Sequence, residues 1–339
     1  MLRVHGIGLR DRDAAASRFP EERFLVRHLC RAWLAGGVLL AVGCGKIAPV
    51  GVSVDKAFKP YLSPDAKALV SLNIDKLKAS DLYKQHRQAF NIAQLDVLSD
   101  RTGLDVRRDL VSILVVWDGK RPLLLARGVF SPEEVEQKLT GFGARPAMYK
   151  GYKLFQGDSD VAGFPDRSSA IAGPRESVQA ALDLKTAGEG TVPDELLERM
   201  KTIPKDSQIW EVSRGGLPFI EVQMRSELRS ALDNISDFVS GTTLGISFDS
   251  GSHLRADIIC VSNPGAERVH DALRGLMGLG RLSTDSSNLD LLRMWDSIDV
   301  NQDQRIVHVK ADLPADLTEK AFEMLPGIAR PAGDALNSR

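Results

Sequence analysis

Aspartate and asparagine residues are spaced as metal ligands near the carboxyl end of this 339-residue chain. The run Asp299-Val-Asn301-Gln-Asp303 begins like a calcium-binding loop. Such a loop needs glycine at its sixth position and a bidentate glutamate at its twelfth, where this chain has Gln304 and Lys310. A lysine there would repel the ion, so the run predicts a polar hairpin turn and not a cation site.

Histidine and serine are the next candidates for chemistry. The histidines beyond residue 44 are scattered, and no two have the four-residue spacing of a helical zinc pair: His86, His253, His270 and His308. Four such side chains can still meet in space, but structural roles are the expectation. Ser247 follows Gly245 without the second glycine of a nucleophile elbow, so it is interpreted as a strand residue.

Other catalytic and cofactor patterns are missing or incomplete. The chain has no Gly-x-x-x-x-Gly-Lys-Ser/Thr phosphate loop and no dinucleotide fingerprint. Its carboxylates are plentiful, but no pair has surroundings that would separate two pKa values for acid and base work. Cys260 stands among Ile258, Ile259 and Val261 and is interpreted as a small buried hydrophobe. The sequence therefore predicts a protein without catalytic residues, metal or cofactor.

Cys44 has the most informative surroundings. Residues 32–43 read AWLAGGVLLAVG without a charge, and Arg27, His28 and Arg31 precede them. A positive region, a short apolar core and small residues are typical of a secretory signal peptide. Twelve helical residues span about 18 Å, too little for a hydrocarbon core of roughly 30 Å. The competing hypothesis is a buried apolar helix with an incidental cysteine.

The run Ala41-Val42-Gly43-Cys44 resembles the lipobox of bacterial lipoproteins, although leucine is commoner where Ala41 stands. The resemblance implies diacylglycerol on the Cys44 thiol, cleavage after Gly43 and acylation of the new amino group. Two or three chains, at roughly 0.8 kcal/mol per buried methylene, would hold the protein on a bilayer. Gly45 follows, where aspartate would indicate the inner membrane, so the resemblance favours the outer membrane facing the periplasm.

The leader and the segment after it also have interpretations. Residues 1–43 are assigned to a leader and signal peptide, although residues 1–25 contain four acidic residues, unusual before a positive region. Either translation starts near Leu25 or Val26, or the leader is long. Residues 44–64 contain Pro49, Pro60 and Pro64 without a clear period, which favours a lipid-bearing tether.

Charge and composition exclude several classes of protein. With 43% hydrophobic and 26% charged residues the chain is globular in type. The formal net charge is −1, and removing residues 1–43 leaves 37 basic against 41 acidic residues, or about −4. No basic face follows, and no nucleic-acid partner is expected. Cys260 would remain as the free cysteine, so no internal disulfide is expected.

The mature chain repeats one order of elements twice, over roughly 130 residues. Strand-like runs at 68–74 and 208–212 open the two copies, and helices follow from about 81 and over 221–238. Each copy then has a hairpin, a helix with a start signal at Ser131-Pro132 or Asn263-Pro264, and further strands. The first copy is placed at 65–192, the second at 193–330 and a tail at 331–339.

Hairpins alternating with helices predict an α+β fold: two similar halves, with helices packed on one face of an antiparallel sheet. The halves could pair edge to edge, which would remove an exposed edge. This layout resembles uncharacterised duplicated envelope proteins of bacteria, and the resemblance covers architecture alone.

Three functional hypotheses remain. The first is a lipid-anchored envelope protein that serves as a non-catalytic binding or structural module. The second is a periplasmic carrier that holds an apolar ligand between the two halves, for which Trp117, Trp210 and Trp295 are candidate lining residues. The third is a hydrolase whose catalytic residues are dispersed along the sequence, which requires an acid, base or nucleophile cluster in one cleft.

Overall fold

The computed structural model describes residues 51–87, 99–100, 103–157, 160–216 and 235–324, all within one compact unit. Twelve described strands form one antiparallel sheet. Their bounds are β1 (Ala68–Asn73), β2 (Leu110–Trp117), β3 (Pro122–Gly128), β4 (Arg145–Tyr149), β5 (Tyr152–Gln156), β6 (Asp160–Asp166), β7 (Ser169–Pro174), β8 (Ile209–Ser213), β9 (Val239–Phe248), β10 (Gly251–Cys260), β11 (Ile298–Asp303) and β12 (Ile306–Pro314).

Nine α-helices fall within the described ranges, and a 3-10 helix (Lys59–Tyr61) precedes them. Their bounds are α1 (Ile74–Ala79), α2 (Asp81–Gln85), α3 (Val106–Asp109), α4 (Pro132–Gly141), α5 (Arg175–Ala187), α6 (Asp194–Met200), α7 (Asn263–Leu282), α8 (Leu289–Asp296) and α9 (Ala315–Met324). The predicted α+β class with an antiparallel sheet is confirmed.

The strand order shows how the two halves are related. From the centre outward it runs β1-β2-β3-β7-β6 on one side and β8-β9-β10-β12-β11 on the other, and β5 and β4 extend the first side. The halves meet where β1 pairs antiparallel with β8, with Ala68 opposite Ser213. Edge-to-edge pairing of the halves is therefore confirmed, and the first half has the additional β4–β5 hairpin, which turns at Lys150 and Gly151.

Helices cover both faces of the sheet. One face, here called the α5 face, is packed by α5, α6 and the segment before β1, through Leu114, Val178 and Leu196 among others. Strand residues next to these point to the opposite face of the sheet. On that face Ile113 of β2 belongs to a cluster with Ile74 of α1. The helices α7 and α9 pack on the same face as α1. The sequence predicts helices on one face of the sheet. The structure has α1, α7 and α9 on one face and α5 and α6 on the other face.

The segment expected to be a tether is in part core. Val52, Val54, Phe58, Tyr61 and Leu62 are all buried in the cluster that contains the central strands. Their spacing follows neither a strand nor a helix period because they belong to a loop and a 3-10 helix. The prediction of a tether at 44–64 is therefore wrong for residues 52–62, and residues 44–50 lie outside the described ranges.

Gly190 allows this amino-terminal segment to dock. A Cβ atom built on Gly190 would lie 2.2 Å from the carbonyl oxygen of Pro60, and neighbouring Thr191 donates its backbone N–H to the Leu62 oxygen at 2.9 Å. We predict that Gly190→Ala lowers the free energy of unfolding by about 1–3 kcal/mol, because backbone atoms must separate. Urea denaturation measures this, with Gly141→Ala as the matched control, since a Cβ there has nothing within 4 Å. Equal effects of both substitutions would contradict the docking.

Candidate functional site

A cleft of about 590 Å³ opens on the α5 face, within the first half. The floor is formed by Val116 at the end of β2, Leu123 on β3 and Ala181 on α5. The wall is a stripe of small and apolar residues of α5 at helical spacing, Ala180, Leu184 and Ala187 among them. A concave site with an apolar floor and a few polar groups at its rim is the usual form of a ligand-binding pocket.

The helix α5 has two neighbouring apolar stripes, one facing the core and one facing the cleft. Val178 and Leu182 point into the core, while the cleft stripe beside them keeps small side chains that leave room above the sheet. Pro174 precedes the helix with an extended ψ of 139°, and Gly188 ends the helix at a φ of +73°. Gly188 adopts a left-handed conformation that costs other residues energy, so the helix stops beside the 188–191 connection.

Two buried polar atoms without hydrogen-bond partners belong to residues that line this cleft. They are Arg121 Nε and Ser177 Oγ, and they are the unsatisfied buried side-chain atoms within the described ranges. Arg121 contacts the Glu176 carboxylate through Nη1, and Asp118 Oδ2 lies 3.5 Å from its Nε. Asp118 therefore faces Arg121 Nε, and Ser177 Oγ is the atom for which the described residues supply no partner, at a cost of about 1–3 kcal/mol for an unsatisfied buried donor.

Charges surround the cleft unevenly. Lys150 Nζ lies 2.7 Å from Asp183 Oδ1, and the Tyr149 hydroxyl donates to the same carboxylate at 2.9 Å. The hydrogen bond from Lys150 holds the pKa of the Asp183 carboxyl below its usual value. Asp65 and Glu189 also line the cleft, and neither has an ion pair within the described part of the chain. The rim therefore has an excess of negative charge.

A buried carboxyl group lies elsewhere, on the central strand β8. Glu211 is 8% exposed, and both carboxylate oxygens lie 3.0 Å from Thr242 Oγ1, which donates to them. Ser213 Oγ lies 2.6 Å from the same Thr242 hydroxyl. Burial raises the pKa of Glu211 to about 7, against the lowering by these hydroxyls and by Arg199. This cluster binds a proton near neutral pH, and none of its members lines the cleft.

The predicted histidine and serine roles can now be compared with the structure. Each histidine lies beside a different carboxylate: His86 with Glu319 at 3.2 Å, His253 with Asp312 at 2.7 Å, His270 with Asp271 at 3.0 Å and His308 with Asp257 at 2.6 Å. Across the described ranges no three His, Cys, Asp or Glu side chains are placed to hold a metal ion. Ser247 lies within strand β9, as expected, and its register partner is His253 of β10, the histidine that pairs with Asp312 of β12.

The other residues singled out in the sequence lie in strands, in the core or beside a second cleft. Residues 299–303 lie on β11, and Gln304 with a φ of 50° begins the turn into β12, which confirms the polar hairpin. Cys260 is buried, and burial raises the pKa of its thiol. Trp210 belongs to the core, while Trp295 lines a smaller cleft of about 360 Å³ between α7 and β11.

The anchor residues Gly43 and Cys44 lie outside the described residues, and the lipid site stays a prediction. In the ranges that the structure describes, no helix has the length and apolar character needed to cross a bilayer.

Comparison with known proteins gives distant likenesses. No protein-family model matches the chain, and no curated protein matches it. Among solved structures, crystal form III of TP0453 aligns with a TM-score of 0.46 at 10% identity, over 80% of this chain and 99% of that chain. Crystal form I of TP0453 aligns with a TM-score of 0.44 at 10% identity, over 80% and 97% of the two chains. At this level of similarity they identify neither a family nor a function.

Proposed function

We propose that the protein is a lipid-anchored bacterial envelope protein whose folded part is a non-catalytic binding module. One observation carries the anchor: the charge-free residues 32–43 follow a positive flank and end at Gly43-Cys44. The Gly45 that follows favours the outer membrane, on its periplasmic side. The folded residues then act beside a bilayer, to which they are held by acyl chains.

The binding role is supported by the cleft on the α5 face. Its apolar floor, its charged rim and the unsatisfied Ser177 hydroxyl together are features of a site that receives a ligand. No described histidine is hydrogen-bonded to the Glu211 cluster. The Ser213 hydroxyl contacts Thr242, and the described imidazoles contact other carboxylates.

Substitution of Cys44 tests the anchor. In the wild-type protein extracted from the membranes of a bacterial host, we expect a chain that begins at Cys44 and has two or three acyl chains. In Cys44→Ala these chains and the membrane association should be lost, because the thiol that accepts the diacylglycerol is gone. Intact-mass spectrometry measures both. Cys260→Ala is the matched control and should keep the lipid. An unprocessed and unlipidated wild-type chain would refute the anchor.

A carrier of an apolar ligand is the second candidate, favoured by the apolar floor of the cleft. The carrier hypothesis places the ligand between the two halves, but the β1–β8 junction is filled on the α5 face by Leu69, Trp210 and Val212. The described cleft lies within the first half, beside α5, and any carried ligand would bind there. Partition of a radiolabelled apolar probe between the protein and detergent distinguishes a carrier from a module that binds polar partners.

A further inference from the structure

The cleft beside α5 has a ligand preference that follows from its lining. We propose that it binds an elongated amphipathic cation, an aliphatic chain with a primary amine at one end and an uncharged hydrogen-bond acceptor at the other. The inference rests on the proposed binding role and adds a chemical class to it.

The apolar floor requires the aliphatic part. Val116, Leu123 and Leu184 present hydrocarbon to the cleft, and binding of an aliphatic chain is favoured because it removes this surface from water. The stripe of α5 that lines the cleft runs from Ser177 to Ala187, about 15 Å along a helix. A linear chain fits such a trough, whereas a compact ring system would fill one end of it.

The end of the cleft beside the last turn of α5 is acidic. Asp65 and Glu189 stand on two segments that are held together, because Thr191 N donates to the Leu62 oxygen at 2.9 Å. Neither carboxylate has an ion pair within the described residues. Nearby Lys185 directs its ammonium to the Tyr61 hydroxyl at 2.7 Å and lies 3.8 Å from Asp166. The Arg214 guanidinium near Asp65 donates to the Pro64 and Ala66 oxygens and forms no ion pair with it. A ligand ammonium group would therefore meet two carboxylates that have no ion pair within the described ranges.

The opposite end offers donors without offering net positive charge. Ser177 Oγ lacks a hydrogen-bond partner among the described residues, while the Arg121 charge is already balanced by Glu176 at Nη1 and by Asp118, which lies 3.5 Å from Nε. An anionic head group there would face both of these carboxylates. A carbonyl or hydroxyl oxygen accepts the same hydrogen bonds without that repulsion. The acceptor end of the ligand is therefore uncharged.

The test uses three probes of equal chain length: decylamine, decanoate and decanol. They are titrated calorimetrically into the full-length protein with Cys44→Ala, so that the result does not depend on lipidation. We expect decylamine to bind about tenfold more tightly than decanoate at pH 7 and low salt. Asp65→Asn combined with Glu189→Gln should abolish this preference and keep decanol binding. Equal or tighter binding of decanoate would overturn the proposal.

A cleft-filling variant locates the binding. Ala180 is an exposed residue of the cleft wall, so Ala180→Trp should fill the trough without disturbing the core and should abolish decylamine binding. Gln179→Trp, one position away on the same helix and outside the lining, should keep it. Decylamine binding that survives Ala180→Trp, or no binding by the parent protein, would overturn the cleft as the site. The anchor would be unaffected, since the Cys44 mass measurement decides it separately.

Discussion

Truncation of Phe58 to alanine is expected to lower the free energy of unfolding by about 3–5 kcal/mol. Phe58 lies before the first strand, in a segment whose prolines resemble a linker, yet it is 2% exposed. Its ring packs in the cluster that includes Leu69 and Leu114 of the central strands. Removing the ring forfeits its burial and leaves a cavity that the surrounding strands cannot close.

Urea denaturation of the full-length chain measures this effect. Lys59→Ala is the matched control, because Lys59 is the next residue and is exposed. We expect the control to change the free energy of unfolding by less than about 0.5 kcal/mol. If Phe58→Ala costs no more than Lys59→Ala, residues 52–62 do not belong to the folded core.

Glu211 is expected to make the stability of the protein depend on pH. Its folded pKa of about 7 exceeds the ordinary glutamate pKa of 4.5, so the folded state binds more protons than the unfolded state between these values. The stabilising contribution is complete below about pH 4.5 and is lost as pH rises through 7. Over this window the loss is on the order of 3 kcal/mol. Other titrating groups also change the free energy of unfolding with pH. The contribution of Glu211 is therefore measured as the difference between the wild type and a variant without this carboxyl group.

Glu211→Gln isolates that contribution. The amide keeps the shape of the side chain and accepts the Thr242 hydrogen bond, but it has no charge to bury. We expect the variant to be more stable than the wild type at pH 8 by about 3 kcal/mol and to approach it at pH 5. Chemical denaturation across pH 5–8 measures the difference, with Glu267→Gln at an exposed position as control. Parallel wild-type and Glu211→Gln profiles would contradict the buried carboxyl.

Much of the sheet could be predicted from local pattern. The apolar run at β2 and the alternation along β9 and β10 indicate strands because neighbouring side chains point to opposite faces. The sequence does not indicate β6, since Gly163 and Pro165 interrupt the run of strand-forming residues. It does not indicate the helix α8 either, because eight residues are too few for a clear period.

The site was harder to predict, for two physical reasons. The cleft is lined by residues from the β2–β3 turn, the β4–β5 turn, α5 and the segment before β1, which meet only in the folded chain. Glu211 alternates with Trp210 and Val212, a pattern that places it on a solvated face. β8 is a central strand covered on both faces, so the carboxyl group is buried. The strands that flank β8, namely β1 and β9, are distant from it in sequence, so the local pattern does not indicate this burial.

The pairing of β1 with β8 also constrains how the chain can be made. Ala68 lies opposite Ser213, which is 145 positions further along the chain. A polypeptide synthesised from its amino end must therefore present β1 with one open edge until the second half has been made. Such an edge can pair with other chains, and holding it apart is a task for a chaperone. Slow synthesis of the second half should therefore favour aggregation over folding.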